Sequence, residues 1–216
     1  ADLHVARELI DEDNTNVFQV NLGGILAMLT DAYMWQHEYQ KAIETTDELL
    51  ATGRYELEPD SASWKRIFTD PGSLSSPSEP IWSLYRDIEF DPGNGIANYI
   101  GSGDRTSSFV MDPNVLARWE QQGDQDFRES LTYDTLDAEQ VGSVAFIWKY
   151  FPLDAATGDP GESLPPRDQA EIRNPMYRLA DILLLRAEAY NQLDNEAEAV
   201  ALLNEVRTRA GLPSVT

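Results

Sequence analysis

No cysteine occurs in the 216 residues, which excludes disulfides, thiolate metal sites and a cysteine nucleophile. Histidine is nearly absent too, with only His4 and His37 available for imidazole chemistry. Most enzyme classes lose their usual tools, and no catalytic residues are expected. No window of about eighteen apolar residues exists, and the most apolar stretch, Ile182 to Leu185, sits inside an amphipathic pattern. The opening Ala1-Asp2-Leu3-His4 has neither the basic nor the apolar segment of a secretion signal, so localisation is not read from this end. Lysine is the scarcest cation: 20 Asp and 18 Glu face 13 Arg and 3 Lys, for a net charge of −22. That balance argues against nucleic acid, which is bound by releasing counterions to clustered Lys and Arg, and against anionic lipid. Carboxylates without lysine stems suit a high-salt source, where screening relieves self-repulsion. An acidic protein from an ordinary habitat is the competing reading.

The apolar content of 42% is enough for a real core, and its spacing defines the scaffold. Leu26, Leu29, Tyr33, Ala42 and Leu49 fall on two amphipathic helices with a break near Gln36-His37-Glu38. Leu183, Ala187, Tyr190, Ala199, Leu203 and Val206 repeat the arrangement with a break near Leu193-Asp194-Asn195. In both, a tyrosine precedes an alanine by the same interval, Tyr33 to Ala42 and Tyr190 to Ala199. This is tetratricopeptide hairpin spacing: the tyrosine of the first helix packs on its neighbour and the small alanine of the second lets the pair approach. Leu3 to Asp11 predicts a short helix beside the first hairpin, and the stripe Tyr33, Trp35, Tyr39 reads as helix-helix core.

Between the hairpins lies a stretch punctuated by turn chemistry, including Asp70-Pro71-Gly72, Asp91-Pro92-Gly93-Asn94-Gly95 and Gly158-Asp159-Pro160-Gly161. Only a few elements stand out there: extended runs at Pro80 to Arg86 and Val144 to Phe151, and a short helix at Pro113 to Gln121. The expected organisation is a mainly α chain of tetratricopeptide-like hairpins with a long loop-rich insertion. One domain would cover residues 1–216, with a hairpin at 18–52, the insertion at 53–173 and a hairpin at 174–212. Loops on a rigid helical scaffold are where binding surfaces usually lie.

The run Asn174-Pro175-Met176-Tyr177-Arg178-Leu179-Ala180-Asp181-Ile182-Leu183-Leu184-Leu185-Arg186-Ala187-Glu188-Ala189-Tyr190 resembles the signature of the SusD/RagB family, with Asp181 where glutamate is usual. Leu203-Asn204-Glu205-Val206-Arg207-Thr208-Arg209-Ala210-Gly211-Leu212-Pro213 resembles that family's ending of the same hairpin. Weaker matches lie in family order: Gly53-Arg54-Tyr55-Glu56-Leu57 at the exit of the first hairpin, then Glu79-Pro80-Ile81-Trp82-Ser83-Leu84, then Gly123 to Arg128 and Ile147-Trp148-Lys149-Tyr150. The resemblance runs from about Asn21 to Pro213 and implies an α-α superhelix of the SusD kind. Full-length family members are longer, with a lipidated cysteine and further hairpins before this region and another helix after it. The chain is therefore expected to be a fragment of such a protein.

The resemblance implies an outward-facing, lipid-anchored protein of the outer membrane. It would capture oligosaccharides without cleaving them and pass them to a SusC-like TonB-dependent transporter. The alternative is a tetratricopeptide scaffold that binds a peptide or protein. Family ligand residues do not lie in the matching motifs, so the candidates come from the loops: Asn98, Tyr99, Arg105 and Phe109 around a Gly-rich turn, with Trp119 and Tyr133 behind them. Sugar rings stack their C–H faces on aromatics while their hydroxyls pair with amide and charged side chains, and Tyr99 has no apolar periodicity to claim it for a core. Trp82 and Trp148 read as core. Asp87, Asp91 and Asn94 are oxygen donors of the kind calcium takes, but their spacing is not that of an EF-hand loop and reads as a Pro-Gly turn. No metal or other cofactor is expected.

Overall fold

A computed structural model describes residues 2–86, 89, 109, 111–122, 126–133, 147–151 and 174–216. It is mainly helical, and its chain contacts divide it into two compact units. The first gathers Ala1–Pro59, Pro71–Leu84 and Pro175–Thr216; the second comprises Asp60–Asp70 and Tyr85–Asn174.

The first unit contains helices α1 (Asp2–Leu9), α2 (Leu22–Trp35) and α3 (Tyr39–Ala51), then strand β1 (Pro80–Ser83), strand β2 (Pro175–Arg178) and helices α7 (Leu179–Gln192) and α8 (Glu196–Arg209). Asn21 starts α2 by accepting a hydrogen bond from the Gly24 amide at 2.9 Å, which satisfies one of the orphan N–H groups of the first turn. Each hairpin closes on one left-handed residue, His37 at φ 58° and Asp194 at φ 59°. These residues stand at the same distance after Tyr33 and Tyr190, so the two hairpins agree in backbone conformation as well as in side-chain register. Gly53 (φ 65°) ends the second helix of the first hairpin in the left-handed conformation that glycine adopts without steric cost.

The apolar faces meet where the sequence pattern places them. Leu26, Ala27, Leu49, Ile81, Leu179, Ala180, Ile182, Leu183 and Val206 form one buried cluster, with Tyr55, Leu57 and Tyr177 packed against it. Met34, Ala42, Ile43 and Ala189 form another, flanked by Tyr33, Tyr39 and Tyr190. Ala42 and Ala189 are fully buried, as expected of small residues where helices approach closely. Arg186 of α7 reaches α3, donating to the Thr46 hydroxyl at 2.7 Å and pairing with Asp47 at 2.5 Å. The stripe expected to be core splits: Tyr33 and Tyr39 pack, but Trp35 is 81% exposed. Trp35 is the last residue of α2 and stands two positions after Tyr33, so the two side chains leave the helix in different directions.

β1 and β2 form an antiparallel pair with Pro80 opposite Arg178, Trp82 opposite Tyr177 and Ser83 opposite Pro175. Strand β1 is shorter than the extended run anticipated from the sequence, and Trp82 is half-buried rather than core. The Leu179 amide then donates to the Glu79 carbonyl at 2.9 Å, seating the start of α7 on the strand. Beneath this junction lies a charged knot. The Glu79 carboxylate, wholly buried, accepts from Arg178 at 2.9 Å, from Arg209 and from the Glu58 amide, while Glu58 accepts from the Glu79 amide at 3.2 Å.

The second unit contains α4 (Ser61–Thr69), α5 (Pro113–Gln122) and α6 (Arg128–Thr132). Asp60 and Ser63 form a reciprocal capping box at the start of α4. Trp64, Ile67 and Phe68 on one face of α4 are buried, and Leu131, Trp148 and Phe151 are buried in the same unit. Phe127 meets the Trp64 ring edge-on at 5.8 Å. Trp148 is core, as its sequence context suggested. The extended run expected up to Phe151 is not continuous: Ile147 forms a single bridge with Tyr133, and the chain then turns at Lys149-Tyr150.

Candidate functional site

Two of the six candidate residues come together in the second unit. Trp119, half-buried on α5, stacks on Tyr133 with ring centroids 5.4 Å apart and 20° between the planes. Tyr133 follows α6 and is 3% exposed, so it supports Trp119 from beneath and its own ring offers little to a ligand. Its hydroxyl donates to the Glu129 carboxylate one helical turn earlier, and burial together with that carboxylate pushes the phenol well above its ordinary range.

Close to the indole, the buried Asp126 takes a bidentate clamp from Arg128, at 2.8 Å to Oδ1 and 2.6 Å to Oδ2. Burial opposes ionisation of Asp126, but the hydrogen bonds and charge of Arg128 outweigh it and hold the carboxyl below its usual value. The result is an aromatic ring held by a stack, which limits the freedom it would lose on meeting a ligand. The sequence reading missed Asp126, Arg128 and Glu129. The i, i+4 spacing of Glu129 and Tyr133 and the short loop from Asp126 to Arg128 were the available signals.

Phe109 is 59% exposed. Asn98, Tyr99 and Arg105 lie outside the described residues, as do Asp87, Asp91 and Asn94 of the considered calcium cluster. Among the described residues no group of three His, Asp or Glu side chains is placed to hold a metal ion.

Near these rings Lys65 of α4 is 3% exposed and donates to the carbonyls of Leu131 at 3.1 Å and Trp148 at 2.8 Å. Burial, with a smaller contribution from the charge of Lys149, lowers its pKa to about 7. Both acceptors are backbone groups, so the amine ties α6 to the segment after Ile147 and takes no part in an acid–base pair.

The profile of the SusD family matches residues 99–216, more than half of the sequence, and the chain belongs to that family. SusD-like protein P38 of Formosa agariphila is 26% identical over 217 aligned positions, covering 88% of this chain and 43% of that protein. A SusD superfamily protein of Bacteroides vulgatus superposes with a TM-score of 0.78 at 19% identity, covering 100% of this chain and 48% of the other. Surface glycan-binding protein A of Bacteroides uniformis gives 0.71 at 19% identity, with coverages of 99% and 49%. The chain thus spans about half the length of these relatives or less.

Proposed function

We propose that the protein captures glycans at the cell surface without cleaving them, as part of an outward-facing, lipid-anchored outer-membrane protein that hands them to a TonB-dependent transporter. Family membership carries this reading, and the fold it shares with a surface glycan-binding protein supports it. The peptide-binding scaffold has no comparable support. Trp119 is the ring best placed to meet a sugar face, because it is half-buried while the buried Tyr133 stacks against it. Phe109 and the loop residues Asn98, Tyr99 and Arg105 complete the proposed set. Electrophoresis through gels containing soluble polysaccharides tests the reading. At least one glycan should retard the protein, no reducing ends should accumulate, and Trp119→Ala should weaken retention about tenfold. Absence of retention across a broad panel, or release of reducing ends, would overturn it.

A further inference from the structure

A cavity of about 350 Å³ in the first unit differs in chemistry from the rest of the acidic surface. Three segments frame it: the strap at Thr15 to Phe18, the exit of the first hairpin at Arg54-Tyr55, and the turn from Pro71 to Ile81. Backbone bonds fix them mutually. Ser78 donates to the Arg54 carbonyl at 3.2 Å, Glu56 to the Ser78 carbonyl at 3.3 Å, and Ser83 to the Val17 carbonyl at 2.8 Å. Asn21 braces the floor, donating to the carbonyls of Asn16 and Ile81 and accepting from the Tyr55 hydroxyl. Phe18 supplies one aromatic wall.

The lining includes Arg54 and no carboxylate, although the chain has 38 acidic residues. Arg7, Arg128, Arg178, Arg186 and Arg209 all pair with carboxylates, whereas the half-buried Arg54 guanidinium has no partner among the described residues. The Asn16 side-chain amide and the hydroxyls of Ser76 and Ser78, on the same lining, likewise make no bond through their N–H or O–H among the described residues. Neutral sugar hydroxyls are met best by a mixture of donors and carboxylate acceptors. The serine hydroxyls and the Asn16 amide can donate as well as accept, so the donor-only guanidinium with no carboxylate beside it is what matches an acceptor-only oxyanion. The volume lies at the small end of the range of about 300–1,000 Å³ for small-molecule sites, which suits a terminal or branching unit rather than an extended chain.

We infer that this cavity is a subsite for an oxyanion-bearing sugar, a uronate carboxylate or a sulfate ester, with Arg54 as the anion contact and Phe18 beside the sugar ring. The inference rests on glycan capture and specifies what one subsite selects. The net charge of −22 opposes an anionic ligand at long range, but at 0.15 M salt the screening length is about 8 Å and the guanidinium contact decides.

The test is calorimetric titration of the 216-residue chain at 0.15 M salt with di-galacturonate, glucose 6-sulfate and neutral cellobiose. At least one of the anionic probes should bind about tenfold tighter than cellobiose, and comparing the two separates a carboxylate ligand from a sulfate. Arg54→Met should remove the preference for the anionic probe over cellobiose, and Arg54→Lys should restore part of it. Unchanged circular dichroism in both variants would tie the loss to the charge. Equal affinity for anionic and neutral probes, or a preference that survives Arg54→Met, overturns the subsite and leaves glycan capture standing. Absence of binding to these probes and to every polysaccharide of the wider panel overturns both.

Discussion

Glu79 is the residue whose loss should cost the fold most. Its carboxylate is wholly buried, and it neutralises Arg178, whose side chain is 19% exposed, and Arg209, at 4%. Replacing Glu79 with alanine strands the Arg209 charge in the interior and frees the Glu58 amide, because the three groups share one acceptor. Breaking a buried ion pair by removing one partner costs about 3–5 kcal/mol. For a chain of this length, that range lowers Tm by roughly 6–20 °C, at about 2–4 °C per kcal/mol. Urea unfolding followed by far-ultraviolet circular dichroism reads the change as a shift in midpoint. Glu79→Gln keeps the shape and one acceptor oxygen, so its cost should be smaller but of the same kind. A double variant, Glu79→Leu with Arg209→Met, should recover much of the loss, because it removes the stranded charge along with its partner. A Glu79→Ala cost under about 1 kcal/mol would refute the reasoning, since that is the scale of an exposed pair.

Lys65 gives a pH signature. Its folded pKa is lowered to about 7 by burial, while the unfolded chain holds its proton to about 10.4, so between these values the unfolded state binds more protons and stability from this group rises with pH. The stability difference between wild type and Lys65→Met should therefore grow in favour of wild type from pH 7 to pH 10 in thermal melts, and a flat difference would refute the assignment. At Gly23, an added Cβ would lie 2.0 Å from the Tyr55 hydroxyl oxygen and 2.6 Å from the carbon bearing it. Gly23→Ala should thus destabilise by about 1–3 kcal/mol in urea unfolding despite the better helix propensity of alanine, and a gain in stability would show that Tyr55 moves freely. If the acidic, lysine-poor surface belongs to a high-salt source, Tm should rise between 0.1 M and molar sodium chloride, and indifference to salt would leave the composition without that explanation.

The scaffold was legible because helix periodicity and hairpin spacing are local signals. Tyr33 to Ala42 and Tyr190 to Ala199 set the register, and the left-handed residues His37 and Asp194 fall at matching points that the sequence marked only as breaks. The charged knot was not legible. Glu79, Arg178 and Arg209 are separated by 99 and 130 positions along the chain, and in a sequence with 38 acids no pattern singles out the one glutamate that becomes buried. The Arg54 cavity escaped for the same reason: its walls come from three segments, and what distinguishes it is a missing carboxylate, visible only once the lining is assembled.

Aromatic residues show how far periodicity can be trusted. Tyr33 and Trp35 are two positions apart, so in an ideal helix their side chains diverge by about 200°, and both cannot share one buried stripe. Tyr33 packs against the cluster that holds Ala42, while Trp35 is 81% exposed at the end of α2. Trp119 and Tyr133, by contrast, are 14 positions apart on different elements and nevertheless stack, with Glu129 accepting from the Tyr133 hydroxyl. A binding reading taken from the loop-rich region placed Trp119 and Tyr133 together behind the Gly-rich turn. Their burial separates them into a ring that can face a ligand and a ring that supports it, so Trp119→Ala should remove the contact surface, whereas Tyr133→Phe should act only through the freedom it gives to Trp119.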